Sequence, residues 1–513
     1  MEKRQIVNIV NFIRACEPRE VVDLYEPVLE QIRVMRENGL RGTFLVQYDT
    51  LLDNRFTDIL KSLDPAQFEL GVWHEIVQPE TEKLGIEWHG RYPWDWHAHC
   101  GFSVGYTKHQ REMLVDELFE TFRAVFGYFP RVFGSWFFDS HTARYVADHY
   151  EVDAFCNCKE QYGTDGYTLW GGYYGQAYYP SRTNVFMPAQ TETEQLNVPL
   201  FRMLGSDPVY QYDYGMDYTG ENSSAQGVIT LEPVYGIAGG SNHKWVDWFL
   251  RENYNGDCLT FGYAQAGQEN SFSWPKMKGG IEYQFPIFAA LQKAGKLCVE
   301  PLGETGRWFK QQYRETAPSA ITAHTAYDDD GKNSVWYCSK YYRLNAYNDK
   351  GFFRIRDLHL FDERFPDPFE DRVCVANDAT YDTLPYADGN RYSGNGVLAG
   401  IRVVNAASGA EIPAEALRFT DLGDGNVELD FGAIRLTLME NSFTVNSDRP
   451  FRLENRIGQD GGCLPEVTAE EPQKVSFRYK GTAYALRLDV GRFEGPNTIC
   501  SENNRVTVLL GQR

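Results

Sequence analysis

Acidic residues recur in this chain where strand-like runs give way to loops rich in Trp, Tyr and Gly. Glu75 follows one such run in Trp73-His74-Glu75, and Asp139 follows another in Phe138-Asp139-Ser140-His141. Asp165 sits in Thr164-Asp165-Gly166-Tyr167, Glu232 ends the run 227–231, and Glu269 lies in Gln265-Ala266-Gly267-Gln268-Glu269-Asn270. One acid in an exposed loop is commonplace. Their recurrence at the same end of successive strands is the informative feature. A fold that gathers those loops over one mouth could hold one protonated and one ionised carboxyl, the pair that cleaves a glycosidic bond.

On that reading Asp139 or Asp165 is the nucleophile or base, and Glu269 is the acid. Glu75, Asp95, His97, Glu232 and Gln268 would hold sugar hydroxyls or tune the pair. Trp94, Trp96, Tyr167 and Trp170 would stack on the apolar faces of sugar rings. Aromatic residues make up 15% of the chain, a content that well-filled cores would also explain. Their clustering in polar, Gly-rich stretches such as Trp94-Asp95-Trp96-His97 favours contact with sugar.

His97 and His99 form an H-x-H pair that Glu17 and His74 could join around a divalent ion such as Zn²⁺. No closing ligand is legible, so the expectation is a glycosidase site without a cofactor, with a metal-dependent carbohydrate deacetylase as one alternative and a non-catalytic carbohydrate-binding protein as the other. The chain has no G-x-S-x-G elbow, Walker loop, Rossmann fingerprint or H-E-x-x-H helix.

The first three hundred residues alternate two periodicities. Strand-like runs at 6–13, 42–46, 68–73, 131–138, 153–156, 227–231, 258–263 and 297–299 are separated by helical patterns. The helical patterns lie at 25–35, 56–63, 108–126, 142–149, 242–251, 281–294 and 303–313. Such alternation predicts a parallel sheet covered by helices, open or closed into a barrel, with active residues after the C-terminal ends of the strands. Beyond about residue 320 helical periodicity fades. Short alternating runs between Asp-Gly and similar turns predict an antiparallel β-sandwich. The predicted boundaries are 1–318 for the α/β domain and 319–513 for the sandwich.

The formal net charge of −21, without a basic patch, disfavours nucleic acid and anionic membranes as partners. An oligosaccharide or glycoside is the expected ligand. The N-terminus shows no signal-peptide pattern, and the 10 dispersed cysteines suggest free thiols in a reducing, cytoplasmic setting.

Three motifs resemble the glycoside hydrolase/deacetylase superfamily. Gly39-Leu40-Arg41-Gly42-Thr43-Phe44-Leu45 is similar to its entry into an early strand, and Phe68-Glu69-Leu70-Gly71-Val72-Trp73-His74 to its E-[IL]-G-x-H strand. Phe126-Gly127-Tyr128-Phe129-Pro130 is similar to the step before its next strand. The resemblance spans about residues 5–315 and implies an incomplete (β/α)7-type barrel. The segments 164–172, 179–182 and 265–270 resemble an uncharacterised bacterial group that follows the barrel with a β-sandwich. In the metal-dependent polysaccharide deacetylases, an Asp-Asp pair and an H-x-x-x-H pair hold the ion. Here Cys16-Glu17 stands in the first place, and His74 is followed by Gln78. The superfamily's retaining glycosidases imply a carboxylate nucleophile after the fourth strand and a later acid, positions comparable to Asp139 and Glu269.

Overall fold

The computed structural model describes residues 3–203, 205–216, 226–329, 331–459 and 463–511. Its first part is a curled, open half-barrel. Strands β1 (Gln5–Ile13), β2 (Gly42–Val46), β3 (Phe68–Trp73), β4 (Val132–Gly134), β5 (Ala154–Cys158), β6 (Leu200–Met203) and β7 (Gly262–Ala266) are parallel. Their order across the sheet is β7-β1-β2-β3-β4-β5-β6, and the short strand Ala177–Tyr178 closes the edge antiparallel to β6. Cys298–Val299 also pairs with β1. Helices cover the outer face, so the strands are buried on both sides and read as nearly continuous apolar runs. The longest early helix, Lys108–Phe126, starts with a reciprocal Thr107–Gln110 capping box and stops at Gly127, which has φ +87.

Two strands fall elsewhere than the sequence suggests. Residues 227–231 form no strand and make only an isolated bridge from Thr230 to Ser206. The sixth strand is Leu200–Met203, where Arg202 interrupts the apolar run but is itself buried. Its Nε donates to Cys158 O at 2.7 Å and its Nη1 to Tyr173 O at 3.0 Å. The seventh strand is shifted to Gly262–Ala266, and the helix predicted from 281 begins at Trp274.

The second part holds two antiparallel sheets packed as a sandwich. One has nine strands and begins with Ser319–Ala323, Lys332–Cys338, Tyr342–Asp349 and Phe352–Leu360. The other has eight, from Arg418–Gly423 to Arg505–Leu509. The short runs read at 403–404, 416–419, 427–431, 434–438, 443–445, 475–478, 485–488 and 506–510 each overlap a strand, whereas the four opening strands of the larger sheet escape the sequence pattern.

The reason lies at the seam between the two parts, where those strands bury charge. Arg343 is bidentate to Asp357 (2.8 and 2.7 Å) and donates to Glu160 of the barrel at 2.7 Å. Trp170, also from the barrel side, donates to Asp388 at 2.8 Å, and Arg391 reaches the same oxygen at 2.7 Å. Gly171 has φ +86, and a Cβ there would lie 2.4 Å from His359 Nδ1, so only glycine lets the loop approach the seam this closely.

A strap from the sandwich part returns to the barrel. Ala379–Tyr381 pairs in parallel with Tyr167–Leu169, and Ala98 N–H donates to Asn377 O at 2.7 Å. The loops carrying Trp96 and Asp165 are therefore fastened by residues more than two hundred positions later.

Candidate active site

The C-terminal ends of β1, β3 and β7 converge on a pocket of about 330 Å³. The chain leaves β1 into Arg14, whose backbone is sewn to the loop after β7. Arg14 N–H donates to Asn270 Oδ1 at 3.0 Å, and Asn270 Nδ2 returns a bond to Arg14 O at 2.9 Å. Asp49, after β2, accepts from Ala15 N–H at 3.0 Å. Three adjacent strand ends are thus locked together by hydrogen bonds.

The Arg14 guanidinium is buried at the centre. Its Nη2 lies 2.7 Å from Glu269 Oε2 and 3.2 Å from Glu75 Oε2, and its Nη1 lies 3.5 Å from Glu17 Oε2. It stacks 3.9 Å from the centre of the Trp94 ring. Arg19 forks onto Glu17 at 2.8 and 2.7 Å, lies 3.7 Å from Asp165 and covers Trp96. Glu75 Oε2 also accepts from Trp73 Nε1 at 2.8 Å, while its buried Oε1 has no hydrogen-bond partner. Phe102, Trp136, Tyr167 and Tyr235 complete the walls.

One arginine serving several buried acids leaves them short of positive charge. Burial pushes the Glu75 carboxyl up to about 7, against the pull of Arg14 and the Trp73 indole. Burial also raises Glu269, opposed by Arg14 and Arg19. Glu17 goes the other way. Its burial is outweighed by the hydrogen bonds from Arg19, which hold it below the usual glutamate range. Behind the pocket, Glu232 is raised to about 7 by burial and accepts from Gln268 Nε2 at 3.1 Å.

Of the residues singled out from the sequence, Glu75, Trp94, Trp96, Asp165, Tyr167 and Glu269 line the pocket. Asp165 stands on a hairpin tip with φ 50 and a partly exposed side chain. Glu232 and Gln268 form the layer behind, although Glu232 ends no barrel strand. Asp95 is buried in an ion pair with Arg91 at 2.8 Å, fixing the loop that carries His97. Asp139 lies outside the pocket. It caps the helix Ser140–His149 through Thr142 and pairs with Arg111 at 2.9 Å. Trp170 is fully buried at the seam and offers no face to a ligand. The sequence reading assigned no role to Arg14 or Arg19, because a charged residue just past a strand reads as solvated surface.

The possible metal donors do not converge. Glu17 is turned to Arg14 and Arg19, and the His97 and His99 rings lie 5.9 Å apart on the rim loop. His74 is buried against Phe133, with burial pushing its imidazole down to about 4 and both ring nitrogens unpartnered. Among the described residues no three His, Cys, Asp or Glu side chains are grouped to hold an ion. The residues present do not fit the metal centre that the fold implies.

A candidate glycoside hydrolase/deacetylase from Parabacteroides distasonis aligns over 76% of this chain and 92% of its own, with a TM-score of 0.53 at 14% identity. The chain shares the fold of that protein. A candidate polysaccharide deacetylase from Mycobacterium smegmatis aligns over 60% of this chain and 91% of its own (TM-score 0.38, 13% identity). A GH57 branching enzyme from Thermococcus kodakaraensis, solved with glucose and additives, aligns over 61% and 72% (TM-score 0.32, 10% identity). No family model matches the sequence, and no curated protein matches it. No helix among the described residues is long and apolar enough to cross a membrane.

Proposed function

We propose that the chain is a carbohydrate-active hydrolase that cleaves a glycosidic bond with Glu75 and Glu269. The observation that carries this reading is the placement of two buried glutamates on one Arg14 nitrogen inside an aromatic pocket. Sharing Nη2, their nearer oxygens can be no more than about 6 Å apart, a bound that admits the roughly 5–5.5 Å of a retaining pair and falls short of the roughly 6.5–9.5 Å of an inverting one. The similar protein from Parabacteroides distasonis is described as a candidate glycoside hydrolase/deacetylase, and the poor fit of the described residues here to a metal centre favours the first of those activities.

Glu75, protonated near neutrality, donates its proton to the glycosidic oxygen while Glu269 attacks the anomeric carbon. The leaving group departs as an alcohol and a glycosyl ester forms on Glu269. Glu75, now ionised, takes a proton from water as that water attacks the anomeric carbon. The sugar leaves and both carboxyls return to their first state. This places the acid on Glu75 and the nucleophile on Glu269, with Asp165 at the entrance. The pocket is at the low end of the small-molecule range of about 300–1,000 Å³, which suits the end of a glycan.

Aryl glycosides of the common hexoses and pentoses test the assignment. Native protein should release the phenol with retention of configuration, and Glu75→Gln and Glu269→Gln should each abolish release. Full activity in both variants would overturn the assignment. Sugar binding with no turnover by native protein would mark a binding protein instead.

A further inference from the structure

A second cavity, of about 970 Å³, opens where residues 210–216 and 229–238 of the first part meet the sandwich part. Tyr210, Tyr327, Tyr347 and Phe352 line it, and Phe352 is largely exposed. Arg354 and Arg402 also line it although both side chains are buried. None of these residues touches the pocket at the barrel mouth.

The lining sets Lys332, Arg354 and Arg402 against Asp213, Asp328, Asp349 and Glu411, so the pairing of those acids decides which cation is left over. One Asp213 oxygen takes both Arg354 Nη2 at 2.6 Å and Arg356 Nη1 at 3.0 Å. Glu411 is taken by Arg456 at 2.5 Å, which leaves Arg402 Nε 3.8 Å from it, beyond hydrogen-bond reach. Glu454 is divided between Arg452 at 3.0 Å and Arg456 at 3.7 Å. Arg402 therefore has one hydrogen bond, from Nη2 to Leu398 O at 3.1 Å, and its buried Nε has none. Burial, with Arg354 as the nearest like charge, lowers the Arg402 guanidinium to about 10. The remaining acids of the lining are Asp328, which accepts from the Tyr210 hydroxyl at 2.6 Å, and Asp349.

An under-paired guanidinium at the floor of an aromatic cavity is built for a carboxylate joined to a ring. We propose that this cavity is a second, non-catalytic binding site for an acidic sugar, a uronic acid residue of a glycan. Arg402 would take the carboxylate and the exposed Phe352 the ring face. The anionic group is read from this cavity alone, and its identification as part of a sugar rests on the glycosidase reading.

Titration calorimetry of the full chain with digalacturonate, galactobiose and benzoate tests the site. Digalacturonate should bind, galactobiose should bind at least tenfold more weakly, and both Arg402→Gln and Phe352→Ala should weaken digalacturonate binding at least tenfold. Phe352→Ala, at an exposed position, guards against a folding effect in the arginine variant. Digalacturonate affinity unchanged in both variants overturns the site. Equal affinity for galactobiose overturns the acidic specificity. Binding of benzoate through Arg402 without digalacturonate overturns the sugar. Failure of native protein to hydrolyse any aryl glycoside overturns the glycosidase reading and leaves these binding results standing.

Discussion

Two buried charge clusters in this protein use the same residue types to opposite ends. At the seam, Asp388 accepts from Arg391, Trp170 and the backbone of Arg391, with His359 at 3.3 Å, and these partners hold its carboxyl far below the usual range. At the barrel mouth, Arg14 must serve Glu75 and Glu269 with Glu17 beside them, and two of those acids are raised. Burial penalises the ionised form in both places. The number of partners per carboxylate decides the outcome. Where partners are plentiful, the charge is a fastener. Where they are scarce, the proposed mechanism makes it a reagent.

The largest effects should separate the clusters by activity. Glu75→Gln and Glu269→Gln should each lower kcat/KM on an aryl glycoside by about 10²–10⁴, and steady-state kinetics will read this directly. In the native protein kcat/KM should fall as pH rises through about 7, because the acid form of Glu75 is lost there. A rate that stays flat to pH 9 would remove Glu75 as the acid.

At the seam the cost should appear in stability. Asp388→Ala leaves Arg391 Nε and the Trp170 indole without their acceptor, with Asp382 still facing that guanidinium, and should cost about 3–5 kcal/mol in chemical denaturation. The folded variant should retain its turnover per molecule. Loss of less than about 1 kcal/mol would mean that the seam charges are poorly coupled.

The same Glu75→Gln variant should be more stable than the native chain, by about 1–3 kcal/mol at pH 8. Its folded pKa is raised, so its favourable contribution is complete below the unfolded value near 4.3 and is lost as pH rises through about 7. The difference should accordingly vanish at pH 4. Equal stability at both pH values would show that Arg14 compensates Glu75 fully.

The smallest expected effect tests the strap. Ala379→Pro removes the N–H that donates to Gly166 O at 3.0 Å, loosening the hairpin that carries Asp165 and Tyr167. It should lower kcat/KM about tenfold, a cost of about 1.4 kcal/mol, while leaving Glu75 and Glu269 in place.

The sequence made the barrel's apolar strands legible because their residues are alike on both faces. It hid Leu200–Met203, where a buried Arg202 imitates a surface residue, and it hid the opening strands of the larger sheet for the same reason. Arg343 and Arg356 look solvated until the barrel supplies their partners, and Asn345 and His359 until neighbouring strands of the sandwich part do. The site was half legible. Glu75, Glu269 and the tryptophans stood out by type and by position after strands. Arg14, which organises them, did not, since its role depends on three strand ends that are adjacent only in the folded sheet. Asp139 stood out for the wrong surroundings. An acid after a strand is also what a helix cap requires, and Ser140–His149 begins there.

The parallel pairing of Ala379–Tyr381 with Tyr167–Leu169 bears on the order in which the molecule is made. As the chain emerges from the ribosome, the barrel strands are complete once residue 299 is free, but the strand that clamps the hairpin beside Glu75 and Glu269 is still to come. A nascent barrel can collapse early and still lack a finished pocket. Hydrolytic competence would therefore be acquired late in synthesis, when the sandwich part has folded back onto its predecessor.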